Sequence, residues 1–362
     1  MAQTDNKIIK EDHSLEYWIE NIQQLSKSIS SKMNNSLRQI DEINMRVRLL
    51  SFNAQIQAAK AGDAGRTFAV VANEIGNLST NTARVAEGLA AETRHDITQL
   101  AEISNSLNKD VRGSRFVDLA HTNIDLIDRN LYERSCDVRW WATDSSAVDA
   151  LKNSNPLTAK FASDRLGVIL NAYTIYFDIV LCDLNGNIIA NGRPNRFKSL
   201  GMNVASSEWF RKAMATNSGL EFAFETLHSS PLVQGKNILT YSCAVRQDGQ
   251  NNGEIIGVLG VLFNWEGLAQ TIVNRTLLTP EEKANTRVCI IDTAGTILAD
   301  TNNAILQGRI PIPPIESLIV QRKGFKICEA NGIRSLYALA TSPGYETYST
   351  GWLSLIVQDL ME

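Results

Sequence analysis

Apolar residues recur at alternating steps of three and four along two stretches of the chain, roughly residues 15–60 and 66–111. This alternation, kept over several heptads, is typical of the seam of a coiled coil. The stretches are equal in length and flank a Gly-Asp-Ala-Gly segment at residues 62–65. Because equal helices joined by so short a loop fold back on each other, the pattern predicts an antiparallel helical hairpin. The seam positions are Leu15, Trp18, Ile22, Leu25, Ile29, Met33, Leu37, Ile40, Val47 and Leu50, then Phe68, Val71, Ile75, Leu78, Val85, Leu89, Ile97, Leu100, Leu107 and Val111.

A single hairpin with seams this long leaves an apolar stripe on each helix only half covered. Two hairpins that pair close these stripes into a four-helix core. We therefore expect a homodimer with a two-fold, self-complementary interface.

Helical patterning continues after the hairpin and predicts a long helix over residues 115–170. Pro156 stands inside this stretch, and a residue before proline leaves the helical region. We expect the helix to break near residues 153–156.

Strand patterns begin near residue 171 and include an internal repeat. Residues 180–190 and 289–299 each have an apolar run, then Asp-x-x-Gly, then a second apolar run. Asp starts a tight turn and Gly takes positive φ, so each copy predicts a β-hairpin. The repeat indicates two similar modules, over residues 171–270 and 285–362, with a linker helix at 265–284. The fold class is α+β: an N-terminal helical hairpin at 1–114, then a long helix and two tandem modules within 115–362.

Composition excludes several functional classes. The formal net charge of −4 gives no reason to expect a nucleic-acid partner. The polar N-terminus lacks a signal core, and no apolar run approaches the roughly 20 residues that cross a bilayer, so we expect a cytoplasmic protein without a membrane span. Five scattered cysteines and four histidines show no metal-ligand spacing, and we expect reduced thiols, no metal and no cofactor. The chain lacks a phosphate-binding loop, a nucleophile elbow and a kinase signature, so we expect no enzyme activity.

The segment from Leu49 to Ile75 reads LLSFNAQIQAAKAGDAGRTFAVVANEI and resembles the signalling tip of bacterial chemoreceptors, the methyl-accepting chemotaxis proteins. The resemblance implies a homodimeric four-helix bundle whose tip contacts a chemotaxis histidine kinase and its coupling protein. Asp63 and Arg66 also have a simpler interpretation, as soluble turn residues that cap helices. The tip residues expected to make the contact are Phe52, Asn53, Gln57, Lys60, Asp63, Arg66 and Val70.

Three tip positions depart from the family pattern. Gln57 stands where the family has Glu, Lys60 where it has Arg, and Thr67 where it has Gly. In the family, this Glu and Arg join neighbouring dimers into trimers. Gln and Lys lose the bidentate carboxylate–guanidinium pair, which disfavours trimers here.

The remainder, roughly residues 115–362, resembles the double Cache (PAS-like) sensor domain of bacterial receptors. The resemblance rests on the Asp-x-x-Gly hairpins, residues 208–213, residues 257–261 and Gly351-Trp352. The order is inverted relative to the usual receptors, with the signalling hairpin first and the sensor last.

The double Cache resemblance implies a ligand site in the first module, which we assign to Trp209, Phe210, Tyr241 and Asn264. An aromatic wall with a few polar groups suits a small polar organic ligand. Ser207 and Asn264 stand where amino-acid-binding Cache domains have Arg and Asp, which disfavours an amino acid. An equally weighted alternative is that Trp209 and Phe210 simply close the core.

We therefore interpret the chain as a soluble chemoreceptor-like transducer. Its C-terminal sensor binds a small molecule, and its hairpin modulates a chemotaxis-type histidine kinase. The alternative is a dimeric ligand-binding or scaffold protein without kinase control, which Gln57, Lys60, Thr67 and the short arms favour.

Overall fold

A computed structural model describes residues 15–153, 155–330 and 332–360 of the chain. Residues 1–14, which include the polar N-terminal segment and the start of the predicted hairpin domain, lie outside the described residues. The chain divides into two compact units, Met1–Arg112 and Gly113–Glu362.

The first unit is a helical hairpin. Helix α1 spans Leu15–Lys60, a 3₁₀ turn follows at Gly62–Gly65, and α2 starts at Arg66 and continues to Trp141. Gly62 has φ of +59°, which lets the chain reverse without strain on a Cβ atom. The antiparallel hairpin expected from the pattern is present.

Small residues, rather than the large apolar ones, line the seam between the two arms. Ser51, Ala58, Gly65, Ala72 and Ser79 are buried and spaced seven apart. A Cβ atom on Gly65 would lie 2.0 Å from the Ala58 carbonyl oxygen, so only glycine allows this approach. The Ser51 hydroxyl donates to the Ala72 carbonyl oxygen at 2.7 Å.

The large apolar residues of the predicted seam therefore do not line the contact between the two arms of one hairpin. Leu50 and Leu78, which the pattern assigned to that seam, are each 65% exposed. Because small side chains bring the two backbones close together, the large side chains are left on the outer surfaces of the hairpin.

Three helical segments open the second unit. The C-terminal part of α2 is followed by α3 (Ser145–Lys152) and α4 (Pro156–Ala172). The break expected near Pro156 is present, where the Asn155 side chain accepts hydrogen bonds from the first turn of α4. The structure has a further break that the pattern did not predict: α2 ends at Trp141, and Asp144 caps the start of α3.

Two five-stranded antiparallel sheets with the same strand order form the rest of the unit. The orders are β2-β1-β5-β4-β3 and β7-β6-β10-β9-β8. The strands are β1 Tyr176–Cys182, β2 Ile188–Asn191, β3 Ala223–Ser230, β4 Lys236–Arg246, β5 Ile255–Phe263, β6 Thr286–Ile291, β7 Ile297–Asp300, β8 Lys323–Ala330, β9 Ile333–Thr341 and β10 Leu353–Asp359; the helices are α5 Glu208–Met214, α6 Trp265–Asn274, α7 Pro280–Lys283 and α8 Glu316–Gln321.

The internal repeat corresponds to the first hairpin of each sheet. Gly186 and Gly295 have φ near +80° (80° and 81°), and the Asp183 and Asp292 carboxylates accept backbone N–H bonds within their turns. The α+β fold class with tandem sheet modules is confirmed. The predicted linker helix at 265–284 is two helices, α6 and α7, because helical bonding stops between Arg275 and Thr279.

Each sheet has two differently covered faces. One face of both sheets packs in a single core with α2, α3, α4 and α6, and we call it the helix-side face. The opposite, outer face of the first sheet packs against α5. The outer face of the second sheet packs against α8 and the segment before it.

Candidate functional site

All seven tip residues expected to contact a kinase are exposed. They lie within about three helical turns of the Gly62–Gly65 turn. Arg66 and Asp63 form a long ion pair of 3.9 Å with both side chains in water, which contributes little to stability. A groove of about 370 Å³ beside the turn is lined by Gln57, Phe68 and small residues. The tip thus presents an apolar groove between exposed polar side chains.

Trp209 and Phe210 belong to α5 and are buried between this helix and the outer face of the first sheet. Their rings make an edge-to-face contact with centroids 6.0 Å apart. The Trp209 backbone is held at both ends: its N–H donates to Glu225 at 3.0 Å, and its carbonyl accepts from the Ser242 hydroxyl at 2.8 Å. Gly260 leaves room for the Trp209 ring, since a Cβ there would lie 2.9 Å from it. These contacts fix α5 against the sheet.

Tyr241 and Asn264 do not join this aromatic pair. Tyr241 lies on the helix-side face of β4, because successive strand residues point to opposite faces and Ser242 faces α5. Asn264 caps α6, where its Oδ1 atom accepts the Gly267 N–H at 3.1 Å. The structure therefore brings Trp209 and Phe210 together and separates the other two predicted residues from them.

Two buried polar side chains, Thr240 and Asp178, lie in one row on the same outer face, and the sequence analysis did not predict them. Thr240 lies opposite Leu262, and Leu262 lies opposite Asp178, so all three share that face. The Asp178 carboxylate accepts the Asn191 amide N–H at 2.7 Å. Burial raises the pKa of Asp178. Hydrogen bonds from Asn191 and from backbone N–H groups lower this pKa, but the effect of burial is larger.

Three buried side-chain oxygen atoms of the first module lack a hydrogen-bond partner among the described residues. They are Asn191 Oδ1, Thr240 Oγ1 and Ser199 Oγ, each on a fully buried side chain. Buried polar atoms are nearly always paired, so three unpaired ones in one module indicate capacity for a polar ligand or water. A polar residue at alternate positions of an otherwise apolar strand, such as Asp178 in β1, was the available sequence signal.

A buried carboxylate on α2 holds the loop between β9 and β10. Asp128 Oδ2 accepts the Ser342 hydroxyl at 2.6 Å and the Gly344 N–H at 2.8 Å. Asp128 Oδ1 accepts the Thr350 hydroxyl at 2.8 Å and its N–H at 3.3 Å. Four hydrogen bonds thus join one helical residue to one loop of the second module.

The same loop contacts the first module. The Tyr348 hydroxyl lies 2.6 Å from the Tyr241 hydroxyl, and both groups are buried. The Tyr348 ring also stacks on Phe222, with centroids 6.2 Å apart. The β9–β10 loop therefore contacts α2, the first sheet and the second sheet at once.

The cysteines show no reactive arrangement. All five are free thiols, and burial raises the pKa of Cys182, Cys243 and Cys289, which keeps them protonated. Within the described ranges, no group of three or more His, Cys, Asp or Glu side chains is placed to hold a metal ion. In the same ranges, every helix is too short or too polar to span a bilayer.

The N-terminal region is similar to the signalling domains of known proteins. The methyl-accepting chemotaxis protein (MCP) signalling domain matches residues 1–143. Methyl-accepting chemotaxis protein Amb0994 of Paramagnetospirillum magneticum is 50% identical over 56 residues, 16% of this chain and 13% of that protein. Methyl-accepting chemotaxis protein IV of Escherichia coli is 36% identical over 99 residues, 27% of this chain and 17% of that protein. The chain thus spans less than a fifth of the length of either relative.

Solved structures share the fold at low sequence identity. The sensory domain of the Campylobacter jejuni chemoreceptor Tlp3 aligns with a TM-score of 0.52 at 17% identity, over 71% of this chain and 94% of that domain. The sensor domain of the V. cholerae histidine kinase DctB aligns with a TM-score of 0.52 at 14% identity, over 70% of this chain and all of that domain (100%). Residues 1–143 therefore match the MCP signalling domain, and the chain shares the fold of bacterial receptor sensor domains.

Proposed function

We propose that this protein is a chemoreceptor-like signal transducer that controls a chemotaxis histidine kinase. Its second unit binds a small molecule, and its hairpin tip contacts the kinase and a coupling protein. The observation that carries the proposal is that helix α2 has residues in both units, from Arg66 at the tip turn to Trp141 in the sensor core. One regular element therefore links a signalling tip to a sensor fold.

The proposed active species is a homodimer formed through the hairpins. Large apolar side chains lie exposed on the hairpin, among them Leu25, Ile43, Leu50 and Val85, each at least 60% accessible. Burial of apolar surface contributes about 25 cal/mol per Å². A second copy would cover these side chains and close a four-helix core, as the sequence pattern also predicts.

The proposed ligand site is the outer face of the first sheet. The unpaired oxygen atoms of Thr240 and Asn191 offer hydrogen bonds to a small polar organic compound, and Trp209 and Phe210 supply an apolar wall. Ser207 supplies no cation, which disfavours an amino-acid ligand here. Because α5 covers this face, binding requires α5 to move, and that movement is the proposed input signal.

The proposed output route is the β9–β10 loop. A change in the first sheet would reach Tyr348 through Tyr241, and then α2 through the hydrogen bonds that Asp128 accepts. The ligand must bind one packing of these elements more tightly than the other, since equal affinity shifts no population.

A reconstituted kinase assay tests the proposal. Purified chain is mixed with a chemotaxis histidine kinase and its coupling protein, and autophosphorylation is measured. We expect the chain to change the rate, Arg66→Ala at the tip to abolish the change, and Arg38→Ala to leave it intact. Arg38 is the matched control because it is also an exposed arginine of the hairpin but lies far from the turn along the chain. No association and no rate change would overturn the proposal.

The alternative, a dimeric ligand-binding scaffold without kinase control, is favoured by the tip chemistry. Gln57 and Lys60 replace a pair that would form bidentate hydrogen bonds. Gln57→Glu combined with Lys60→Arg separates the two proposals. If the native chain leaves the kinase unchanged and the double variant regulates it, the scaffold function is supported.

A further inference from the structure

The second module has an open cavity on its outer face. Its volume is about 360 Å³, at the small end of the range for ligand pockets. The floor is a row across three strands, in which Val357 lies opposite both Arg287 and Tyr337. The next row has Asp359 opposite Ser335. The roof is formed by Ile310, Pro311 and Pro314.

The two ends of the cavity carry opposite charges. Arg287 donates two hydrogen bonds to the fully buried Asp300 carboxylate, at 2.9 and 2.7 Å, and therefore leans toward β7. Asp359 accepts the Ser335 hydroxyl at 2.7 Å and leans the other way, toward β9. Val357 and the two prolines supply an apolar middle. The guanidinium of Arg287 has five N–H groups, and only some of them donate to Asp300.

The internal repeat shows why this cavity is open. Arg287 and Asp300 stand five residues before and eight residues after Asp292, as Asp178 and Asn191 stand relative to Asp183. Both modules therefore place a hydrogen-bonded polar pair at the same point of the outer face. In the first module Phe197, Trp209 and Phe210 pack on that face, whereas the outer-face core of the second is aliphatic apart from Cys289 and Tyr337.

We propose that this cavity binds a small linear zwitterion, with its carboxylate at Arg287 and its ammonium group at Asp359. Arg287 and Asp359 are diagonal neighbours on β6 and β10, because Arg287 lies opposite Val357, and such neighbours start about 7–8 Å apart; their side chains also lean away from each other. An α-amino acid carries both charges on one carbon and spans this separation poorly. A compound with its charges at opposite ends of a short methylene chain matches both the separation and the apolar middle.

The opposite charges at the two ends also explain why a zwitterion is preferred to a simple anion. Arg287 is paired with the buried Asp300, so Arg287, Asp300 and Asp359 together carry a net negative charge. A lone carboxylate would be repelled by both acidic groups, whereas an ammonium group at Asp359 offsets that repulsion. This inference goes beyond the proposed function, because binding here holds whether or not the hairpin controls a kinase.

Calorimetric titration of the full chain tests the site with probes of matched length. The probes are 5-aminopentanoate, pentanoate, pentylamine and 2-aminopentanoate. We expect saturable binding of 5-aminopentanoate and at least tenfold weaker binding of the other three. No saturable binding of 5-aminopentanoate, or equal affinity for 2-aminopentanoate, would overturn the proposal.

Two variants locate the binding. Asp359→Asn removes the charge at one end of the cavity. This variant should bind 5-aminopentanoate at least tenfold more weakly than the wild type, with an unchanged circular dichroism spectrum. Glu329→Gln, an exposed carboxylate outside the cavity, should have no effect. Thr240→Val, on the outer face of the first sheet, should also leave this affinity unchanged. Retained affinity in Asp359→Asn, or loss in Thr240→Val, would place the binding elsewhere and refute the site.

Discussion

Replacing Asp128 by asparagine should destabilise the second unit and cut the link between α2 and the β9–β10 loop. The carboxylate accepts four hydrogen bonds, two on each oxygen. Asparagine keeps one acceptor oxygen and turns an amide N–H₂ toward the other two donors. Since a hydrogen bond to a charged group contributes about 1.5–3 kcal/mol, the loss of two predicts at least about 3 kcal/mol of destabilisation.

Tryptophan fluorescence during thermal unfolding measures this effect, because five of the six tryptophans lie in the second unit. For a unit of this size, each kcal/mol lowers the melting temperature by about 2–4 °C, so we expect a fall of about 6–12 °C. Asp125→Asn is the matched control on the same helix, where a partly exposed pair with Arg129 is worth at most about 1 kcal/mol. Equal shifts in the two variants would refute the reasoning about the loop.

Three further predictions concern the hairpin and the first module. Leu78→Glu should split the proposed dimer, and light scattering should then report the 40.0 kDa chain mass instead of twice that value. Gly65→Ala should unfold the hairpin turn, because its Cβ would meet the Ala58 carbonyl at 2.0 Å, whereas Gly88→Ala has open space and should raise helix stability by about 0.5–1 kcal/mol in circular dichroism melts. Burial raises the native pKa of Asp178 above its unfolded value, so its ionised form costs stability at neutral pH and the cost is relieved as the pH falls through the native pKa. The wild-type melting temperature minus that of Asp178→Asn should therefore increase as the pH is lowered. A difference that decreases would contradict the raised pKa of Asp178.

The elements that depend on local sequence were predictable. Three–four periodicity identified the hairpin helices, and the two Asp-x-x-Gly turns identified both module starts, since turn chemistry depends on adjacent residues. The seam of Ser51, Ala58 and Ala72 was missed because small residues carry little hydrophobic contrast. The helix end before Asp144 was missed because a capping Asp looks like any other polar position in a helical pattern.

The candidate ligand site depended on tertiary pairing and was only half predicted. Trp209 and Phe210 are neighbours in sequence and share a helix, so their association follows from the chain. The face that Tyr241 occupies depends on the register of β4, which no local pattern fixes. The row from Thr240 to Asp178 crosses β4, β5 and β1, strands far apart in sequence, and is visible only in the assembled sheet.

The autophosphorylation rate of a chemotaxis histidine kinase, measured with its coupling protein in the presence and absence of this chain, tests the central claim most directly. The account predicts a rate that changes on addition of the wild-type chain and returns to its basal value with Arg66→Ala. A rate that is the same with and without the wild-type chain, under conditions where the hairpin is folded, would contradict it.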